Sequence, residues 1–259
     1  MQPKIGKRVL HLFDELVDHF KKNQEPFKLA LKSILDYVET SEKLKELVHS
    51  VKYRLKDPDH LKDKLQRKYL DAMENKKEFD INKENLFVKI NDLAGFRVIH
   101  LHTKQFEQIN EELKRFFADQ RWVVVKKPSA RTWDDESREY FRSIGIGVDA
   151  SPNMYTSVHY IIKPNTRSNI TCEIQVRTLM EEVWGEVDHT INYPHKSESI
   201  SCREQIKTLA RATSAASRLV DSIFTTHNDF NSKIIERINA PRNVKKTTTR
   251  VVAKRSKKK

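Results

Sequence analysis

Glycine is scarce in this chain, with five residues among 259. That argues against folds built on Gly-rich nucleotide loops and against collagen-like repeats. Cysteine is scarcer still. Cys172 and Cys202 make neither a disulfide framework nor a metal-ligand spacing. No apolar run approaches the roughly 20 residues that span a bilayer, so no membrane contact is expected. The opening "MQPKIGKRVLHLFDEL" carries charges inside its apolar periodicity, which reads as an amphipathic helix and not as a signal peptide. Together these absences leave a cytoplasmic protein, 37% hydrophobic and 33% charged, long enough to bury a real core.

Charge of one sign is not lacking, but it is unevenly placed. The net charge is +13. Nine basic residues and no acidic one lie between Arg242 and Lys259. Of the 49 basic residues the remaining 40 face 36 acidic ones, so residues 1–241 carry only +4. The tail "PRNVKKTTTRVVAKRSKKK" has too little apolar content to fold and is expected to be disordered. Such a tail attracts nucleic acid, tRNA included, or an acidic partner without sequence specificity. A solvated tail of minor function is the other reading.

Helical periodicity runs over residues 8–20, with Leu10, Phe13, Leu16, Val17 and Phe20 on one face, and again over about 25–50. Pro58 breaks the chain, and Asp59 is placed to cap a helix from His60 to about Lys77. "FRVIHLH" alternates as a strand, "KQFEQINEELKRFFADQ" is an amphipathic helix, and "RWVVVKK" is a second strand. Residues 128–154 read as a long loop, the kind that more often serves a site than merely connects. "TSVHYIIK" and "ITCEIQVR" are two more strands, joined by the turn residues "PNTRSN" into an antiparallel hairpin. "LMEEVWGEVDHTI" returns to helix, and 198–238 is mostly one long helix with Leu209, Leu219, Ile223 and Phe224 among its apolar positions. The expected class is α+β, a small mixed or antiparallel sheet of about four strands flanked by many helices.

Four groups of residues carry candidate chemistry. Arg54 and Lys56 precede a helix on which Lys64, Arg67 and Lys68 share a face, and a concentrated cationic face suits a triphosphate. Asp92 stands just before the strand that carries Arg97, either as a turn residue or as half of a magnesium-binding carboxylate pair. Tyr155, Ser157 and His159 alternate onto one face, where a tyrosine can stack on a base. Glu173, Gln175 and Arg177 alternate likewise on the strand "TCEIQVRT". If those two strands pair, their polar faces become one surface. Each group also reads as an ordinary solvated face. Together they describe a basic, carboxylate-bearing, aromatic-lined surface suited to magnesium-dependent phosphoryl transfer.

The order R-x-K, a lysine-bearing helix, "DLAGFRVI", "YTSVHY", "EIQVRT" and a W-x-x-x-D-H helix resembles the synthetase domain of RelA/SpoT-type alarmone synthetases, over roughly residues 50–195. The resemblance implies a nucleotidyltransferase-like mixed sheet and transfer of the β,γ-pyrophosphate of ATP to the 3′-hydroxyl of GDP or GTP with Mg2+, making (p)ppGpp. It implies that Arg54, Lys56, Lys64 and Arg97 hold ATP. Asp92 and Glu173 become the acidic pair, Asp92 as metal ligand and Glu173 as metal contact or base. Tyr155, as the stacking residue, His159, Gln175 and Arg177 fall on the acceptor side.

The departures collect in one place. The family's loop usually carries a lysine, an Asp-Tyr pair and P-K-x-N-G-Y, whereas this chain reads "REYFRSIGIGVDASPNMY". Arg138 and Arg142 are candidates for the missing loop cation. Because this is the acceptor-binding part, two further readings stay open. One is a toxin-type relative that transfers pyrophosphate to adenine nucleotides or to the tRNA 3′ end. The other is a non-catalytic nucleotide- or RNA-binding module. The expected organisation is N-terminal helices over 1–50, a synthetase core over 51–196, a C-terminal helix over 197–240 packing on it, and the tail over 241–259. The charged helices at both ends are candidates for homo-oligomer contacts.

Overall fold

The computed structural model describes residues 5–192 and 197–239. The basic tail, expected to be disordered, lies outside the described residues, as do residues 193–196 at the end of the expected core. Compact units divide after Asp221, and residues from Ser222 onward count as a unit of their own.

Three helices open the chain: α1 (Lys7–Lys22), α2 (Glu25–Thr40) and α3 (Glu42–Leu47). The periodicity that places Phe13, Leu16, Val17 and Phe20 on one face buries all four. The helix expected up to residue 50 stops earlier. Ser41 is extended, accepts a hydrogen bond from the Leu44 backbone N–H, and caps α3. The chain then forms a strand not expected from the sequence, β1 (Ser50–Leu55). The helix α4 (Pro58–Glu74) begins at Pro58, and its cap is Asp57, not Asp59: the Asp57 carboxylate accepts from the backbone N–H groups of Asp59 and His60. Proline at the first helical turn lacks the N–H that would go unpaired there anyway.

The sheet has six strands, not about four. After the short α5 (Leu86–Lys89) come β2 (Ala94–His100), α6 (Gln105–Asp119), β3 (Val123–Thr132), α7 (Asp135–Ser143), β4 (Gly147–Ala150), β5 (Ser157–Lys163), β6 (Cys172–Thr178), α8 (Leu179–Asn192) and α9 (Ile200–Asn239). The strand order is β1-β2-β6-β5-β3-β4. β2–β6 and β3–β4 are parallel and the other pairs antiparallel, so the sheet is mixed, and β5 and β6 form the expected hairpin. The region expected as a loop over 128–154 contains the end of β3, then α7 and β4. The Asp134 carboxylate caps α7 through the Ser137 N–H, and Phe141 anchors it in the core.

Alternation along the strands separates two faces. Phe96 and Val98 of β2, Val158, Tyr160 and Ile162 of β5, and Ile174 and Val176 of β6 are buried with Phe106, Ile109, Leu113, Phe116 and Phe117 of α6. Burying each such aromatic contributes about 2–3 kcal/mol, so this face is fixed as the inner one. A one-residue slip of any central strand would expose it. The polar alternates therefore stand on the opposite face. A smaller cluster of Trp184, Ile206 and Ala210 joins α8 to the start of α9, where the Trp184 indole N–H donates to the Ile206 carbonyl at 3.0 Å. The buried side of α9 differs from the expected apolar positions. Ile206, Ala210, Thr213, Ser214 and Ser217 are buried, whereas Leu219 and Ile223 are exposed.

Candidate functional site

Strand register assembles the site on one face of the sheet. Lys52 pairs with Arg97 and Arg54 with Gly95 across β1 and β2. Gly95 lies opposite Glu173 and Arg97 opposite Gln175 across β2 and β6. Gln175 lies opposite His159 across β6 and β5. A continuous polar row thus runs across four neighbouring strands.

Three clefts open on this row. One of about 430 Å³ is lined by Arg54, Asp92, Gly95, Arg97, Glu173 and Gln175, among others. A second, of about 470 Å³, is cationic: Arg54, Lys56, Lys64, Arg67 and Lys68 surround Asp92. The largest, about 1190 Å³, has Tyr155, Trp184, Gln175, Arg97 and Arg177 in its wall and Arg67, Arg131, Arg203 and Lys207 around it. His189 of α8 borders all three.

Asp92 sits between two lysines. Lys56 Nζ is 3.0 Å from one carboxylate oxygen and Lys64 Nζ is 2.7 Å from the other. Burial pushes the Asp92 carboxyl upward, but Lys64 and Lys56 outweigh it and hold it below the ordinary aspartate range. Lys56 is buried, so this pair is poorly screened by solvent.

Glu173 is held at both oxygens. His159 Nδ1 lies 2.9 Å from Oε1, and Gln175 Nε2 donates to Oε2 at 2.8 Å. The Tyr155 hydroxyl in turn donates to Gln175 Oε1 at 3.2 Å. Burial raises the Glu173 carboxyl and the charge of Asp92 adds to that, yet the hydrogen bonds from His159 and Gln175 leave it below its usual range. Both carboxylates are therefore ionised at neutral pH.

The resemblance gives ten residues a role at the site, and the clefts bring nine of them to their walls. Arg54, Lys56, Lys64 and Asp92 meet at the cationic end, and Arg97, Glu173 and Gln175 lie between it and the aromatic end. Tyr155 and Arg177 line the large cleft, although the Arg177 side chain is only 2% exposed and pairs with Glu182 at 2.6 Å. His159 differs. Its side chain is 6% exposed and stands behind Glu173, where it orients the carboxylate. Its Nε2 is buried and has no hydrogen-bond partner among the described residues. Neither Arg138, paired with Asp135 on its own helix, nor Arg142 lines these three clefts, whereas Arg131 of β3 lines the large one.

Several residues at the site escape a sequence reading. Lys52, Glu182 and Glu186 form one ion-pair group with Arg97. The i, i+4 spacing of Glu182 and Glu186 places them on one face of α8, but spacing alone does not say what that face meets.

Among the described residues no group of three or more His, Cys, Asp or Glu gathers for a metal. Two carboxylates nonetheless suffice for magnesium, which takes the rest of its shell from phosphate oxygens and water. Asp92 and Glu173 border the same cleft, and the charge of Asp92 acts to raise the Glu173 carboxyl. Two hard, ionised oxygen donors beside a cationic cleft fit the ion.

Comparison with known proteins places the fold and the family. No curated protein sequence matches the chain. Among solved structures, the small alarmone synthetase 1 from Bacillus subtilis is similar at 17% identity and a TM-score of 0.56, over 82% of this chain and 99% of that one. The same enzyme bound to its product pppGpp is similar at 20% identity and a TM-score of 0.57, over 81% and 96%. A GTP pyrophosphokinase family protein from Streptococcus pneumoniae gives 15% identity and a TM-score of 0.55, over 83% and 94%. These likenesses establish the shared fold. Residues 53–198, more than half of the chain, match the region found in RelA / SpoT proteins, and the chain belongs to the RelA/SpoT family.

Proposed function

We propose that the protein is a small alarmone synthetase that moves the β,γ-pyrophosphate of ATP onto the 3′-hydroxyl of GDP or GTP. Membership of the RelA/SpoT family supports alarmone synthesis by a pyrophosphokinase-type enzyme. A structural neighbour described as bound to its product pppGpp favours a guanine nucleotide as acceptor. The observation that carries the reading is the position of Asp92 and Glu173. Both border the 430 Å³ cleft, which shares Arg54 and Asp92 with the lysine-rich cleft and Arg97 and Gln175 with the Tyr155-lined one.

In this reading Arg54, Lys56, Lys64 and Arg97 bind the donor phosphates, since spread phosphate charge needs several cations at once. Tyr155 presents its ring to the acceptor base. The acceptor 3′-oxygen attacks the β-phosphorus, forming a P–O bond. The bond from the β-phosphorus to the oxygen bridging to the α-phosphate breaks, and AMP leaves with that electron pair. Glu173 takes the hydroxyl proton, its carboxylate held by His159 and Gln175 so that little reorganisation is needed. Asp92, with Glu173, would hold Mg2+, which when bound supplies neutralisation of charge on the phosphate oxygens.

A second acceptor has one observation in its favour. The large cleft is bordered by Arg67, Arg131, Arg203 and Lys207, a set suited to a longer phosphate backbone such as an RNA 3′ end. One experiment separates the readings: Mg2+ and ATP labelled on the terminal phosphate, offered GDP, GTP, AMP or bulk tRNA in parallel. Label on GDP or GTP is expected. Label on tRNA alone would replace the first reading by the second, and no transfer to any acceptor would leave a binding module.

A further inference from the structure

Lys52, Arg97 and Arg177 stand on the same face of three neighbouring strands, β1, β2 and β6. One carboxylate meets all three. Glu182 Oε1 is 2.9 Å from Lys52 Nζ and 3.2 Å from Arg97 Nη1, and Oε2 is 2.6 Å from Arg177 Nη2. Glu186, one turn further along α8, meets Lys52 at 3.4 Å and Arg97 at 2.6 Å.

The two acids differ in what can displace them. The Glu186 side chain is 48% exposed, so its contact with Arg97 is open to solvent and to an arriving phosphate. Glu182 is 5% exposed, and the Arg177 side chain it holds is 2% exposed. Withdrawing Glu182 would strand two opposite charges in a dry interior. It is therefore a fixed counter-charge, present whether or not nucleotide is bound.

What it fixes lies at the junction of the clefts. Arg97 borders both the 430 Å³ and the 1190 Å³ clefts. Arg177 borders the larger one and carries Tyr155, with Nη1 3.4 Å from the phenol oxygen and the guanidinium carbon 5.4 Å from the ring centroid. We infer that Glu182 is a positioning residue for the transfer: it holds Arg97 and Arg177 side by side, and so fixes the spacing between bound donor and bound acceptor. The inference rests on the pyrophosphate-transfer reading above. Its kinetic signature is a loss in kcat, because small misplacements of reacting groups are costly in rate. KM for ATP changes little, since Arg54, Lys56 and Lys64 remain in place.

The test compares Glu182→Gln, Arg97→Gln and the double variant by steady-state kinetics with whichever acceptor the wild type uses, with melting curves as a check on folding. For Glu182→Gln the expected kcat is lower by about tenfold or more, with KM for ATP within about threefold of wild type. If Glu182 acts through Arg97, the two losses do not multiply, and the double variant stays within about threefold of the slower single. Losses that multiply in full, or an unchanged kcat in Glu182→Gln, would overturn the role. Should Glu182→Gln melt below the assay temperature, Glu182→Asp keeps the charge and supports the same comparison with Arg97→Gln. A wild-type protein that turns over no acceptor defeats the reaction reading and this role with it. Wild-type turnover with multiplying losses defeats the positioning role alone.

Discussion

His159 Nδ1 lies 2.9 Å from Oε1 of Glu173, and the contact is diagonal: in the strand register His159 faces Gln175, not Glu173. Gln175 in turn donates to the second Glu173 oxygen. One carboxylate is thus braced from its own strand and from the next. An ionised carboxylate offers about four lone-pair sites, so two such bonds leave capacity for a proton or a metal. Glu173→Gln keeps the shape and removes the charge. Transfer is expected to fall by roughly a thousandfold, with an unchanged far-ultraviolet circular dichroism spectrum. Turnover within tenfold of wild type would remove Glu173 from the chemistry.

Asp92 has a structural duty as well as a proposed catalytic one, because it is the counter-ion of buried Lys56. Asp92→Asn is expected to abolish transfer and to cost about 1–3 kcal/mol of stability, read as a lower urea midpoint. The pH dependence has a definite sign. The folded Asp92 carboxyl titrates below its ordinary value of 3.8, so its contribution is present above the unfolded pKa and is lost as pH falls through the folded one. The gap between wild type and Asp92→Asn should therefore persist at neutral pH and close only in strong acid. A gap already closed at pH 6 would contradict the pairing.

Much of the site was legible because strands alternate. Tyr155, Ser157 and His159 could be set on one face, and Glu173, Gln175 and Arg177 on another, before any pairing was known. The hairpin turn between them then joined the two faces. β1 was not legible, for "SVKYRL" is an edge strand paired only with β2, and three of its six residues are exposed. Its sequence carries little more than an alternation of apolar and basic residues. β4 is four residues long and is held by parallel pairing to β3, a partner distant in sequence. The roles of Glu182 and Lys52 were hidden for a different reason. An ion pair between distant elements reads in sequence as two ordinary surface charges, and only the packing of α8 on the sheet reveals it.

Glu181, next to Glu182, shows the opposite electrostatic outcome. It is buried, and burial raises its carboxyl from 4.5 to about 7, with Arg177 opposing and Asp134 adding to the rise. The folded protein therefore holds a proton there that the unfolded chain releases near pH 4.5. Stability linked to this group is complete below the unfolded pKa and is lost as pH rises through about 7. The full loss is on the order of 3 kcal/mol. Glu181→Gln, which can still accept from the Thr156 backbone N–H, should match wild type near pH 4 and exceed it at pH 8. Urea melts across that range check it, and equal stability at pH 8 would show that burial does not raise the carboxyl.

Gly185 completes the packing around Arg177. A Cβ placed on Gly185 would lie 2.7 Å from Arg177 Nη1, closer than such atoms approach without a shift. The guanidinium cannot easily give way, because Glu182 holds it at 2.6 Å in the interior. Alanine in mid-helix would ordinarily gain about 1 kcal/mol over glycine. Here that gain is opposed by overpacking, which typically costs about 1–3 kcal/mol, so Gly185→Ala is expected to be destabilising on balance. The background decides the cause. With Arg177→Gln already present the clash is removed, and adding Gly185→Ala should then be neutral or stabilising in urea melts. A Gly185→Ala change that costs the same in both backgrounds would mean that Arg177 does not set the need for glycine on α8.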